Sequence, residues 1–276
     1  MGSRGGDYDY TYLSYGCGVQ STALLVLSAL EQRGVPKVDA AIFADTGDEP
    51  QYIYDYLETV KPWAEDHGIP FHVVSTGKLS EAALRKEGRA PSMPYWCRGE
   101  DGREAPLMRQ CTRDYKVVPI QKKVRELLGY QPRQRIKEKV RCLLGISLDE
   151  VSRVKPNRER WITNEWPLID AHLHRQLCGE IVTEAGLPAP KKSSCVYCPY
   201  HSNAFYRELK EDYPVEFEKA CKFDDAIRDP DGRYRKSLDN PPFIHRSLQP
   251  LRNVDFTDSQ QNLFGFDNEC EGYCGI

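Results

Sequence analysis

The chain has 276 residues, of which 40% are hydrophobic, 11% aromatic and 29% charged, with a formal net charge of −3. This composition supports a packed core, excludes global disorder and excludes a polyanion binder that works by overall charge. No apolar run approaches the ~18 residues of a membrane span, so no membrane partner is expected.

At roughly 150 residues per domain the length suggests about two units. A change of pattern near Pro188 divides them into a nucleotide-binding α/β domain, 1–187, and a Cys-containing C-terminal region, 188–276. Tyr10 to Tyr15 is β-prone and runs into Gly16-Cys17-Gly18. Ser21 to Arg33 carries leucines at helical spacing and stops at Gly34. Ala40 to Ala44 is a short apolar run, as in a strand buried on both faces. A turn at Asp45-Thr46-Gly47 leads to a helix over Gln51 to His67 and a strand over Phe71 to Ser75. Such β-α-β-α-β alternation predicts a parallel sheet with right-handed crossovers and helices on both faces, a Rossmann-like α/β fold. Ala90 to Pro106 is predicted to be a mobile loop over the sheet edge. Helices are expected over Val117 to Leu128 and Leu168 to Ala185, with a strand between them over Val140 to Ile146. Beyond Pro188 the segments are Cys-, Pro- and Tyr-rich, with shorter helices at Phe205 to Lys210 and Pro214 to Ile227, and a mobile tail closes the chain.

Charge is uneven along the chain. Lys122 to Arg160 holds 12 Lys/Arg against 5 Asp/Glu, whereas Asp255 to Ile276 holds five acidic residues and no basic one. A phosphate-rich ligand near the cationic middle is one reading, and a solvated helix surface is the other.

The segment Ser14-Tyr-Gly-Cys-Gly-Val-Gln-Ser-Thr22 follows a strand and opens a helix. Free N–H groups and the dipole of a helix N-terminus favour anions at such a junction. Gly16 and Gly18 would let the backbone approach a phosphate, and the hydroxyls of Ser21 and Thr22 would add donors. No Gly-Lys-Ser/Thr ending follows, so this is not the ordinary nucleotide-binding P-loop. A plain tight turn remains the alternative.

With Asp45-Thr46-Gly47 at the next strand end, the sequence resembles the ATP-pyrophosphatase (PP-loop) superfamily, in its phosphoadenylyl-sulfate reductase-like branch. The family's Ser-Gly-Gly-x-Asp-Ser loop is matched by Gly16 to Ser21. Cys111-Thr-Arg-Asp-Tyr-Lys-Val-Val-Pro119 is similar to its Cys-Thr-x-x-x-Lys-x-x-Pro stretch, and Gly145 to Arg153 to its Gly-x-x-x-x-Glu-x-x-Arg stretch. Trp166-Pro-Leu and Cys195-Val-Tyr-Cys198 complete the order. The loop departs from the pattern at Gly16, Val19 and Gln20, the last standing where Asp is common. The resemblance implies an adenine nucleotide alpha-hydrolase-like fold. ATP, or an adenylated sulfur nucleotide, would bind on Gly16, Cys17, Gly18, Gln20, Ser21, Thr22, Asp45, Thr46 and Gly47. Ser21, Asp45, Lys116, Arg153 and Cys111 would be the catalytic residues, with Arg113 a further candidate. Mg²⁺ is implied as a cofactor, with Asp45 able to serve it or the adenosine.

Ten cysteines are too few for a disulfide scaffold at this length. Met1 to Tyr10 lacks the layout of a signal peptide, so a cytoplasmic setting is expected, in which clustered cysteines read as metal ligands or redox groups. Cys195 and Cys198 have the Cys-x-x-Cys spacing shared by zinc and iron–sulfur sites. With Cys111, which the resemblance places beside the nucleotide, they suit a [4Fe–4S] cluster with one open iron; Zn²⁺ is the alternative, with His201 as fourth ligand. Cys142, Cys178 and Cys221 read as core residues. Cys17 reads as a small loop residue or as a thiol of lowered pKa at a helix N-terminus. Cys270 and Cys274 are candidates for a sulfur relay.

The resemblance implies an ATP-dependent sulfurtransferase that adenylates an acceptor oxygen, releases pyrophosphate and replaces the oxygen by sulfur. The cationic stretch Arg133 to Arg141, with Arg153, Lys155, Arg158 and Arg160, would suit a nucleic-acid backbone. That points to DNA phosphorothioation, with tRNA thiolation as the near variant and a cysteine desulfurase as sulfur donor. Two rivals are a sulfonucleotide reductase with a C-terminal Cys nucleophile, and a non-catalytic nucleotide- or nucleic-acid-binding module with structural zinc.

Overall fold

Strand β1 (Tyr10–Tyr15) alternates its side chains between two apolar layers, and this alternation organises the sheet. Tyr12 faces one layer while Leu13 and Tyr15 face the other. The computed structural model describes residues 8–234, 238 and 240–257. From β1 the chain enters α1 (Val19–Ala29), β2 (Ala40–Asp45), α2 (Gln51–Asp66) and β3 (Phe71–Ser75). It continues through α3 (Leu79–Leu84), the hairpin β4 (Trp96–Arg98) and β5 (Glu104–Pro106), and a π-helical turn Arg113–Val117 leading into α4 (Val118–Leu127). Then come β6 (Val140–Leu144), a 3₁₀ turn Leu148–Arg153, β7 (Ile162–Glu165), α5 (Pro167–Asp170) and α6 (Arg175–Glu184). Helices α7 (Asn203–Asp212) and α8 (Pro214–Ile227) and a 3₁₀ turn Leu251–Asn253 follow.

Five parallel strands form the sheet in the order β3-β2-β1-β6-β7. Helices α1, α2 and α6 bury their apolar sides on the face carrying Leu13, Phe43 and Leu143. On the other face, α4 packs Ile120 and Val124 against Tyr12, Ile42 and Cys142. Helices thus cover both faces, as the alternation predicts. The strand order reverses between β1 and β6, and a crevice opens at the carboxyl ends of strands at such a switch point.

A second core joins Leu79, Ala83, Met93 and Tyr95 to Tyr197, Tyr206, Phe223 and Ile244. It therefore draws on residues from both sides of position 187. No helix of the described residues is long and apolar enough to cross a membrane.

Three local expectations are corrected, and two short elements were not expected. The segment 90–106 is not a loop over the sheet edge. It holds the antiparallel β4–β5 pair, tied to the second core through Trp96, which bridges to Phe243 and donates its ring N–H to the Pro199 carbonyl at 3.1 Å. The helix expected over Leu168 to Ala185 is two helices, separated by a turn in which His172 has φ 55°. Helix α1 stops at Ala29, four residues short of Arg33. Helix α3 and strand β7 carry too short an apolar pattern to stand out in the sequence.

Candidate functional site

At the β1–β6 switch point lies a pocket of about 1010 Å³, counting the space open at its mouth. Its floor is the junction of β1 and α1. Gly16, Gly18, Gln20 and Ser21 line it, with Lys116 and Arg153 from the two later motifs. Five apolar residues, Phe43, Ala44, Ile120, Leu144 and Ile146, form a wall beside them. The sequence motifs thus converge from three parts of the chain on one cavity.

Glycine is demanded most strongly at a position the motif contains without explaining. A Cβ on Gly145 would lie 2.6 Å from the Ser21 nitrogen and 2.7 Å from its Cα. The end of β6 therefore touches the first turn of α1, which closes the crevice at its base. In the loop itself the left-handed conformation falls on Cys17, with φ 57°, and on neither flanking glycine. Nothing lies within 4 Å of a Cβ built on Gly18, so its bare backbone leaves the lip of the pocket open.

The two loop hydroxyls are used differently from the expectation. Ser21 Oγ accepts the Gly18 N–H at 3.1 Å and donates to the Gly18 carbonyl at 3.0 Å, which fixes the loop while its residue lines the pocket. Thr22 is fully buried; its hydroxyl donates to the Gly18 carbonyl at 2.9 Å and meets Tyr15 Oη at 2.9 Å. Cys17 points away from the pocket lining, into the core. Burial pushes its thiol up to about 12, so the lowered pKa considered for it is overturned. Cys142 and Cys178, also pushed up to about 12 by burial, and Cys221, pushed up to about 11 by burial, are core thiols as expected.

Asp45, Thr46 and Gly47 do not line the pocket; they build the turn beside it. Asp45 Oδ1 accepts the Gly47 N–H at 2.7 Å and the Tyr54 hydroxyl at 3.0 Å. Gly47 has φ 73°, and a Cβ there would press on the Lys78 backbone at 3.1 Å. Asp48 holds Ser80 by both carboxylate oxygens, at 2.7 and 2.8 Å, and its carbonyl accepts the Val196 N–H at 2.9 Å. This turn therefore anchors both α3 and the Cys195–Cys198 segment at the end of β2.

Two buried carboxylates behind the pocket orient its cations. Glu49, whose side chain is fully buried, pairs with Lys116 Nζ at 3.5 Å and accepts from Ser193 Oγ at 3.0 Å. Glu150, also buried, pairs with Arg153 and with Arg175 Nη1, the latter at 3.8 Å. The π-helical turn carries Lys116 inward. Arg113 instead faces Asp114, at 3.2 Å, and does not line the pocket. Sequence reasoning missed Arg175, Lys192, Ser193 and Ser194, all pocket-lining. The signal available for the last three was their position just before Cys195; Arg175 had none, because its helix was read as continuous.

Among the described residues no group of three His, Cys, Asp or Glu side chains is arranged to hold a metal ion. Cys195 Sγ lies 3.2 Å from Thr46 Oγ1, and burial raises its thiol well above the ordinary value. Cys111 and Cys195 pack at the border of the second core. His201 is no fourth ligand through Nε2, which bonds the Cys195 carbonyl at 2.8 Å, while its ring stacks on Phe205 at 3.5 Å. Burial pushes its pKa down to about 3, so it is neutral. His201 is therefore not the fourth ligand of a zinc set through that nitrogen. For Mg²⁺ the pocket offers few ligands: no Asp or Glu is among the described residues lining it, and Gln20 donates its amide to Ser147 Oγ at 3.4 Å. Cys270 and Cys274 lie outside the described residues.

The cationic stretch is elsewhere. Arg133, Arg135, Lys137 and Lys139 are exposed and precede β6, at the edge of the sheet opposite the pocket. The Val140 N–H donates to the Trp161 carbonyl at 3.0 Å, which brings Arg160 to that same edge.

No family model matches the chain, and no curated protein matches it. Among solved structures it is similar to a U34-tRNA thiolase from Methanococcus maripaludis, solved with its [4Fe–4S] cluster. Identity is 14%, the match covers 77% of this chain and 70% of that chain, and the TM-score is 0.39.

Proposed function

We propose that the protein is an ATP-dependent sulfurtransferase of the ATP-pyrophosphatase type, acting on a nucleic acid. One observation carries the reading: the loop at the start of α1, Lys116 of the π-helical turn and Arg153 after β6 meet in one pocket at the switch point of a parallel sheet. That is where an open α/β sheet binds nucleotides, and the free N–H groups of the helix start favour a phosphate. The base would lie against the apolar wall around Phe43 and Ile120, with the phosphates between the loop and the cations.

In this reading an acceptor oxygen attacks the α-phosphorus of ATP; the new P–O bond forms as pyrophosphate leaves. A nucleophile at the oxidation level of sulfide then displaces AMP from the acceptor. Lys116, Arg153 and the loop N–H groups would stabilise the charge that builds on the phosphate oxygens. A cysteine desulfurase would supply the sulfur as a persulfide, and two electrons from a thiol reductant would bring its outer sulfur to the sulfide level, with the carrier cysteine released as a thiol. DNA is the preferred acceptor, as in phosphorothioation, and tRNA the second.

The test is pyrophosphate release from ATP, alone and with DNA or tRNA, by the full chain and by Lys116→Gln. We expect release that nucleic acid stimulates and that the variant loses by roughly 100-fold, the scale of one lost transition-state donor. A chain that releases no pyrophosphate but reduces adenylyl sulfate with thioredoxin is a sulfonucleotide reductase instead.

A further inference from the structure

We infer that Arg175, Lys192 and Ser194, none of which belongs to the recognised motifs, complete an oxyanion cradle that binds the nucleotide's phosphates free of Mg²⁺. The inference rests on the nucleotide reading above and deepens it. Phosphate charge can be met by a metal ion or by side-chain cations. Mg²⁺ in protein sites demands an octahedral set of oxygens, normally one or two carboxylates with waters and substrate phosphates.

This pocket offers the other solution. Four cations line it, Lys116, Arg153, Arg175 and Lys192, and no carboxylate does among the described residues. The two nearby carboxylates face the cations: Glu49 holds Lys116 and Ser193, and Glu150 holds Arg153 and Arg175. Each acid therefore sets the direction of a positive group, where in a metal site it would hold the ion. Gln20, at the position where the resemblance expects an acid, is neutral and is bonded to Ser147. An arginine fork also matches a phosphate edge with two parallel N–H bonds.

Ser194 supplies an independent sign of a ligand. It is 6% exposed, it lines the pocket, and its Oγ is a buried polar atom with no hydrogen-bond partner. A buried hydroxyl left unsatisfied is costly, so a group that accepts from it in the bound state is the simplest resolution. A phosphate oxygen held by Lys192 and Arg175 is such a group.

The experiment is calorimetric titration of the full chain with ATP, once in EDTA and once in excess Mg²⁺, with AMP as a second ligand. We expect ATP to bind in EDTA at least as tightly as with Mg²⁺, and AMP, lacking the outer phosphates, to bind roughly tenfold or more weakly. Arg175→Gln and Lys192→Gln are each expected to weaken ATP binding by roughly tenfold, and Ser194→Ala by roughly threefold. Gln20→Asp is expected to make binding depend on Mg²⁺. ATP binding that needs Mg²⁺, or that ignores both cation variants, overturns the cradle. Absence of ATP binding in either buffer removes the nucleotide reading itself. The wild-type comparison needs no variant to fold.

Discussion

The two edges of the sheet hold cations of opposite kinds. At the carboxyl edge, Lys116 and Arg153 are only 16% and 18% exposed, each turned by a buried glutamate toward a cavity. At the amino edge, Arg133, Arg135, Lys137 and Lys139 stand in solvent on the loop that leads into β6. Strand β6 separates them: five residues, about 16 Å at 3.3 Å per residue. The denser run in the sequence is thus the one farther from the cavity. Local charge density reports where a chain is solvated, whereas a functional cation is marked by the acid that orients it.

The first way to break this comparison is to spoil the carboxyl edge without touching a charge. Gly145→Ala would place a methyl group 2.6 Å from the Ser21 nitrogen, against backbone that no rotamer change can move. We expect a loss of about 3 kcal/mol of stability, as for overpacking a tight contact, and loss of nucleotide binding. Urea denaturation checks it. Gly179→Ala is the control: nothing lies within 4 Å of its Cβ, it sits in α6, and it should be neutral or stabilising by about 0.5–1 kcal/mol. Equal losses in the two variants would mean that the β6–α1 contact does not define the pocket.

Gly145 also shows what the sequence could and could not reveal. The strands were legible because β1, β2 and β6 are largely apolar, and the loop from Gly16 to Gly18 because it sits between a strand and a helix. The meeting of Lys116 and Arg153 was legible only through the motif order. Arg175 was invisible because its helix start depends on a turn at His172 with φ 55°, a residue type that announces no break. The Asp45-Thr46-Gly47 turn was legible as an element, but the sequence does not show that Asp45 accepts its own turn N–H and the Tyr54 hydroxyl. Glu49 passes as an ordinary acid until its burial is seen, whereas Glu150 stands in a recognised stretch but shows its pairing with Arg153 and Arg175 only in the structure.

A second prediction uses acid. The wall carrying Lys192 and Ser194 leads into the Cys195–His201 turn, whose imidazole donates to the Cys195 carbonyl. Burial holds His201 neutral with a pKa of about 3, and His245 with one of about 4. The unfolded chain binds a proton at each imidazole below about pH 6.5 while the folded chain does not. Their contribution is therefore complete above the unfolded value and is lost as pH falls through the window from about 6.5 toward the folded values. At about pH 5 each costs on the order of 2 kcal/mol. We expect stability to fall between pH 7 and pH 5, and His201→Gln to flatten that slope by about one proton. An unchanged slope in the variant would show that His201 binds protons alike in the folded and unfolded chain, against its burial as a neutral group.

The smallest expected effect is the most diagnostic for the amino edge. Arg133→Gln, Arg135→Gln and Lys137→Gln together remove three exposed charges from a loop whose ordered contacts are made by other groups, such as the bond from the Lys139 N–H to Asp9 at 2.7 Å. Exposed charges of this kind contribute little to folding, so stability should move by less than about 0.5 kcal/mol. Nucleotide affinity should change by less than about twofold, because at about 16 Å these charges are beyond the ~8 Å screening length of physiological salt. Nucleic-acid binding is the property that separates the two accounts of this edge. If a nucleic-acid backbone runs along it, the triple variant binds DNA or tRNA more weakly, and the salt dependence of binding flattens by about 0.9 per lost phosphate contact on duplex DNA. If the edge is only a solvated surface, binding and its salt slope stay as they were. Any acceptor must then enter from the carboxyl edge, over Lys192 and Arg175.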